Sequence, residues 1–248
     1  MIICKSAAEI ERLRRSGRMA RGLLDELWRR VQPGVSTLDL EKFVEKRIAE
    51  SGARPAFKGY RGYPCCLCAS VNNQVIHGIP SERRLQAGDI VSLDLGVLLD
   101  GYYGDSAITV PVGEIAAAAE RLLRVTQEAL RLAIDQACLG NRLGDVSSTV
   151  QRHVEENGYS VVREFVGHGI GRQLHEEPQV PNFGQPGHGP VLKQGMVLAI
   201  EPMVNAGGPG VRVLADNWTA VTADGALSAH FEHMVAVSRN GPDVLTLQ

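Results

Sequence analysis

The pair Asp100-Gly101 lies between two strand-like runs, Ile90-Val-Ser-Leu-Asp-Leu-Gly96 and Tyr102-Tyr-Gly-Asp105, and constrains the fold more than any other feature of the sequence. Asp-Gly is a favoured pair for a two-residue hairpin turn, whose central residues both need positive φ. With that turn in place the register follows: Leu99 faces Tyr102, Gly96 faces Asp105 and Leu95 faces Ser106. Side chains alternate across a strand, so Asp94 and Asp105 become diagonal neighbours on one face, about 7–8 Å apart at Cα. The plain alternative is a solvated hairpin face. It is weakened because Asp94 interrupts an apolar run that reads as central to a sheet, where an unpaired carboxylate is costly. A cation between the two acids would account for both.

Around this hairpin the chain alternates helices and strands. Ser6 with Glu9 forms a capping box, and Ile10, Leu13, Ala20, Leu23, Leu24, Leu27 and Val31 recur at helical spacing until Pro33-Gly34. Ser36 or Thr37 caps a second helix, whose stripe Leu40, Phe43, Val44 and Ile48 ends at Gly52. Strands are expected at Cys66 to Val71 and Ile90 to Gly96, helices at about 115–138 and 145–157, then strands near 160–166, 196–201 and 228–238. The order helix, helix, strands occurs twice, which points to an α+β domain of two related halves although no residue-level repeat is visible. No linker divides the halves, so residues 1–248 are expected to form a single domain with the site between them.

Further acids and histidines stand in similar settings. His168 and His175 sit in the glycine-rich stretch Gly167-His-Gly-Ile-Gly-Arg-Gln-Leu-His175, Glu201 ends the apolar run Met196-Val-Leu-Ala-Ile-Glu201, and Glu232 lies in Ser228-Ala-His-Phe-Glu-His233. Alternation along the last stretch puts His230, Glu232 and Met234 on one face, with Phe231 and His233 on the other. Each acid alone is better read as a satisfied core or loop residue. Four acids and a histidine together suit two hard or borderline divalent ions, Mn²⁺, Fe²⁺, Co²⁺ or Zn²⁺. Two such ions can activate a water and polarise a carbonyl. No G-x-S-x-G nucleophile motif and no phosphate-cradling loop with Lys is present.

Composition narrows the setting. A net charge of -2 gives no overall basic field for nucleic acid, and no apolar run approaches the roughly 18 residues of a membrane span. Three of five cysteines, Cys65, Cys66 and Cys68, crowd into four positions, which suits free thiols in a reducing cytoplasm better than a disulfide framework. A lone C-x-x-C pair without a second pair completes no four-thiolate zinc site.

Read together, five stretches resemble the type I methionine aminopeptidases along the whole chain. They are Asn72-Asn-Gln-Val-Ile-His-Gly-Ile-Pro80, Ser92-Leu-Asp-Leu95 with Gly104-Asp-Ser106, Gly167-His-Gly-Ile-Gly171 with His175-Glu-Glu-Pro178, Ala199-Ile-Glu-Pro-Met203, and Ser228-Ala-His-Phe-Glu-His233. The resemblance implies the pita-bread fold, two pseudo-symmetric halves with a curved antiparallel sheet covered by helices. It implies a metalloaminopeptidase that removes the initiator methionine from nascent proteins, preferring small second residues. Asp94, Asp105, His168, Glu201 and Glu232 would ligate two metal ions, with Asp105 and Glu232 bridging. His77 and His175 would flank the substrate and stabilise the tetrahedral intermediate, and Glu201 would relay the proton to the leaving amine. Without the resemblance His77 reads as a loop histidine. Tyr60, Tyr63, Cys68 and Trp218 take the places of the methionine-pocket residues. Leu174, where many members carry Phe, and the Cys65-Cys66 pair depart from the pattern. A monomer acting near the ribosomal exit tunnel is the family expectation.

The 31 positions from Glu201 to Glu232 are too few for the insertion that marks type II enzymes, and no zinc-binding N-terminal extension of the eukaryotic kind is expected. Two other readings remain. An X-Pro aminopeptidase of the same fold would use the same ligands, but Asp94 comes too early for the extra N-terminal domain such enzymes carry. A non-catalytic pita-bread binding protein would be marked by a missing ligand, and none is missing.

Overall fold

The computed structural model describes residues 1–247. Helices α1 (Ala7–Trp28) and α2 (Thr37–Ser51) come first, followed by strands β1 (Arg54–Pro55), β2 (Leu67–Val71), β3 (Gln74–Ile76), β4 (Ile90–Leu99) and β5 (Tyr102–Pro111). Helices α3 (Ala117–Asp135) and α4 (Leu143–Glu156) open the second half. Its strands are β6 (Ser160–Val161), β7 (Val166–Gly169), β8 (Glu176–Pro181), β9 (Val197–Ile200), β10 (Met203–Asn205), β11 (Val211–Val213), β12 (Ala220–Thr222), β13 (Ser228–His230), β14 (His233–Ser238) and β15 (Gly241–Val244). In each half two helices precede a larger antiparallel sheet. The first has β4 between β5 and the end-to-end pair β1 and β2; the second runs β15-β14-β9-β7-β8. This is the expected α+β, pita-bread arrangement, and every strand pairing in it is antiparallel.

Local sequence sets the helices. Ser6 and Glu9 satisfy each other's backbone N–H groups at the start of α1, and Ser36 with Asp39 does the same for α2, so Ser36 rather than Thr37 is the cap. Gly52 closes α2 in the left-handed region at φ 77°. Leu13, Ala20, Leu23, Leu24 and Leu27 form the buried face of α1. The helix stops at Trp28, short of the periodic Val31, because the amides of Arg30 and Val31 bond to the carbonyls three residues back in a tighter turn. Val31 still packs on the core, which is why the apolar pattern outruns the helix.

The hairpin has the expected register, Leu99 opposite Tyr102, Gly96 opposite Asp105 and Leu95 opposite Ser106. Asp100 and Gly101 both take positive φ, 51° and 78°. Glycine at position 104 lets α1 lie against β5: a Cβ there would sit 2.2 Å from the Ser16 carbonyl carbon.

Two strand expectations need correction. The segment expected as one strand at 160–166 is a short β6 and a separate β7 that starts at Val166, with Val162 crossing to bond Met203 O. The run expected at 228–238 breaks at Phe231-Glu232, so simple alternation fails there, and Phe231 and Glu232 are both buried. The break has a cause: Glu232 leaves its own sheet to bridge Ala107 of β5, donating its amide to Ala107 O at 2.9 Å. Ser106 Oγ donates to Glu232 O at 2.9 Å, and Thr109 Oγ1 bonds both the carbonyl and the amide of His230. The two halves therefore join along β5, beside Asp105.

Candidate metal centre and substrate pocket

Three independent constraints bring the acids together at that seam. The hairpin register sets Asp94 and Asp105 on one face, the bridge to Ala107 brings Glu232 alongside, and His168 pairs with Ala199 of β9, two residues before Glu201. Ligand atoms of Asp105, His168 and Glu232 all lie within 4.8 Å of one another. His168 Nε2 is 4.0 Å from Asp105 Oδ2 and 3.6 Å from Glu201 Oε1. Its Nδ1 lies 2.9 Å from Gly169 O, a contact that turns Nε2 towards the acids.

The electrostatics of this cluster are those of an unneutralised site. Asp94, Asp105 and Glu232 have pKa values raised well above the carboxylate range, first by burial and then by repulsion from neighbouring acids. Burial pushes Glu201 up to about 8. Asp94 Oδ1, Asp105 Oδ1 and Glu232 Oε1 are buried without a hydrogen-bond partner, and no Lys or Arg pairs with the four acids among the described residues. Leaving several carboxylates so placed costs several kcal/mol. Oxygen-rich donors with one imidazole are the chemistry that a divalent ion matches, so the residues fit a metal.

Among the acids is a cavity of about 160 Å³ lined by all eleven residues expected at the site, together with Phe57, Arg61 and Leu174. Cys68 stands directly across from Asp94 in the β2–β4 register, which ties the apolar side of the cavity to the acid cluster. Tyr63 meets Trp218 edge-on at 5.1 Å, and its hydroxyl donates to Leu67 O at 3.0 Å. Trp218 is held by the loop before it, where the Asp216 carboxylate accepts the amides of Trp218 and Thr219 at 2.9 and 2.8 Å. His77 has φ 58° and turns its ring edge-on to Phe165 and Trp218, at 5.7 and 5.9 Å. At the mouth His175 Nδ1 lies 2.8 Å from the Tyr60 hydroxyl, and the imidazoles of His175 and His168 are 4.2 Å apart. His77 and His175 are each held down to about 4, in both cases mainly by lost hydration, so both are neutral at pH 7.

Two residues beside the cluster were not expected at the site, His230 and Arg61. His230 Nε2 lies 3.3 Å from Glu201 Oε2 on the side away from His168, and burial lowers its pKa to about 3. A signal existed, since alternation had put His230 on the face of Glu232. Arg61 had none: it stands in a turn at φ 50°, between Tyr60 and Tyr63.

Comparison with known proteins agrees over the whole chain. The profile of metallopeptidase family M24 matches residues 11–239. A methionine aminopeptidase of Clostridium perfringens is 53% identical over 247 residues, covering 100% of this chain and 99% of its own length. The crystal structure of a methionine aminopeptidase from Thermotoga maritima superposes with a TM-score of 0.98 at 46% identity, over 100% of both chains. An Xaa-Pro dipeptidase from Bacillus anthracis has a TM-score of 0.79 at 22% identity; the match covers 99% of this chain and 62% of that one, and shows the shared fold alone.

Proposed function

The chain belongs to metallopeptidase family M24 and within it to the type I methionine aminopeptidases, and from that premise we propose how its own residues carry out the reaction. The enzyme uses divalent metal to hydrolyse the N-terminal methionine from nascent proteins. The observation that carries the site assignment is the convergence of Asp94, Asp105, His168, Glu201 and Glu232 on one cavity, with three buried oxygens lacking partners. These five would hold two divalent ions. Manganese, iron, cobalt and zinc all suit the donors, and supply decides among them as much as affinity. Ions there would polarise the scissile carbonyl and lower the pKa of a water towards about 7.

The protein groups divide the remaining work. Glu201, buried between His168 and His230, would carry the proton from the attacking water to the leaving amine. His77 and His175, neutral at pH 7, would each offer an N–H to the peptide and to the oxyanion of the tetrahedral intermediate. The Tyr60 hydroxyl at His175 Nδ1 would fix the tautomer that keeps the hydrogen on Nε2. Tyr60, Tyr63, Cys68 and Trp218 would enclose an unbranched thioether, with Leu174 as a further apolar wall. Preference for a small second residue belongs to the same reading.

Residues 1–248 would act as one catalytic domain, supported by a hydrophobic core that draws on both halves. No described helix is long and apolar enough to cross a membrane. The family reading is of a monomer in the cytoplasm that meets its substrates near the ribosome, and a net charge of -2 fits a protein that binds no nucleic acid itself. Titrating metal-stripped protein with Mn²⁺ or Co²⁺ tests the site. Two ions per chain are expected, and fewer in Asp105→Ala; an unchanged count in that variant would remove Asp105 from the metal site.

A further inference from the structure

Ahead of α1 the backbone at Lys5 is threaded tightly between two loops of the second half. Its amide donates to Gly195 O at 2.7 Å, and a Cβ on Gly195 would stand 2.5 Å from Lys5 O. The Lys5 side chain then runs inward. Its Nζ lies 2.6 Å from Glu176 Oε2 and also donates to Ile3 O at 3.1 Å, while the two side chains keep only 4% and 7% of their exposure. Glu176 uses its other oxygen to accept the Gln173 amide at 3.2 Å. Gly171 closes the packing, since a Cβ there would meet Glu176 Oε1 at 2.4 Å and Lys5 Cε at 2.8 Å.

The segment pinned in this way carries His175. Between the end of β7 at Gly169 and the start of β8 at Glu176 it has no strand pairing, and Arg172, Gln173 and His175 are exposed. Such a segment opens easily unless something anchors it. Tyr60 holds the His175 ring from one side; on the chain side the anchor is Glu176, the next residue, locked by Lys5. Another contact ties the segment to the first half: the amide of Tyr103, two residues before Asp105, donates to Gly171 O at 2.9 Å.

We propose that Lys5 and Glu176 form a positioning pair: the N-terminal segment, through a buried ion pair, sets where the His175 imidazole stands over the cavity. This inference rests on the reading of His175 as a substrate-facing donor. A displacement of about 1 Å in such a group lowers turnover by up to about a hundredfold without removing any reacting atom.

The test uses the full-length enzyme with the neutral isosteric pair Lys5→Met/Glu176→Gln. Replacing both members of a buried pair spares the fold the lone buried charge that a single replacement leaves. Turnover of Met-Ala-Ser is read beside the His175 imidazole resonance in metal-free, histidine-labelled protein, assigned from its absence in His175→Ala. We expect kcat to fall about tenfold or more with KM within about twofold, and the His175 signal to move or broaden. Lys5→Arg, which keeps the cation, should stay within about threefold of the parent. Parental kcat in the double variant, or lost kcat with an unmoved His175 signal, overturns the proposal. His175→Ala separates the two failures. At parental kcat it refutes the role of His175 itself; if it is crippled while the double variant is not, only the positioning pair is refuted.

Discussion

At the scale of single residues, the proposed assignment divides the site into groups that would hold metal and groups that would touch substrate, and the two should fail differently. If Asp105 and Glu232 ligate the metal as proposed, Asp105→Ala or Glu232→Ala removes a ligand, so turnover should fall by about a thousandfold or more. His175→Ala leaves the acids in place, so kcat should fall about a hundredfold while Mn²⁺ affinity stays within a few-fold of the parent. Kinetics paired with metal titration checks both; equal loss of metal in His175→Ala would make it a ligand. Asp94 and Glu201 were legible because each interrupts or ends an apolar run, a setting that needs a reason; Asp105 came from the hairpin register, and Glu232 stood out only in the company of the others. His77 was not legible, since Asn72-Asn-Gln-Val-Ile-His77 reads as an ordinary polar turn. Only the fold brings it beside Trp218. Arg61 was invisible for the same reason: its place at the mouth comes from a left-handed backbone turn rather than from any periodicity.

Among the elements, the hairpin was the most legible because a two-residue turn dictates register over its full length, and register alone placed Asp94 and Asp105 on one face; Cys68, across from Asp94 in the pairing of β2 with β4, was named only through the resemblance. Helices α1 and α2 were legible from their caps, and α3, which has no side-chain cap, only from its periodicity. Short strands such as β3, β11 and β12 have three residues each, too few for alternation to stand out from loop sequence. The break between β13 and β14 was unreadable because the partner of Glu232 is Ala107, more than a hundred positions away. The contact of α1 on β5 yields a prediction at this scale. Gly104→Val would force the Ser16 backbone and β5 apart, destabilising the fold by about 3 kcal/mol or more and disturbing Asp105 one residue on. Urea unfolding of the metal-free variant measures this; a change under about 1 kcal/mol would mean that the helix can shift freely.

For the whole molecule, stability and metal are linked through protons. Glu201 is raised from 4.5 to about 8 in the folded chain, so its contribution is fully present below 4.5 and lost as pH rises through about 8. Asp94, Asp105 and Glu232 are raised in the same direction. The buried imidazoles His168 and His230 are lowered instead, and cost stability only as pH falls below 6.5. Between pH 7 and 9 the carboxylates therefore dominate. Metal-free protein should melt at a lower temperature at pH 9 than at pH 7, and Mn²⁺ should remove most of that difference by taking the place of the protons. An equal fall with and without Mn²⁺ would place the raised carboxylates outside the metal site. The central claim, metal-dependent release of methionine at this cluster, is tested most directly by giving metal-stripped enzyme matched peptides, Met-Ala-Ser, Leu-Ala-Ser and Ala-Pro-Ser. Mn²⁺, Co²⁺, Fe²⁺ or Zn²⁺ is restored in turn without oxygen. Methionine released from the first peptide only, and only with metal, is the expected result; cleavage without metal, or preferred cleavage before proline, would contradict it.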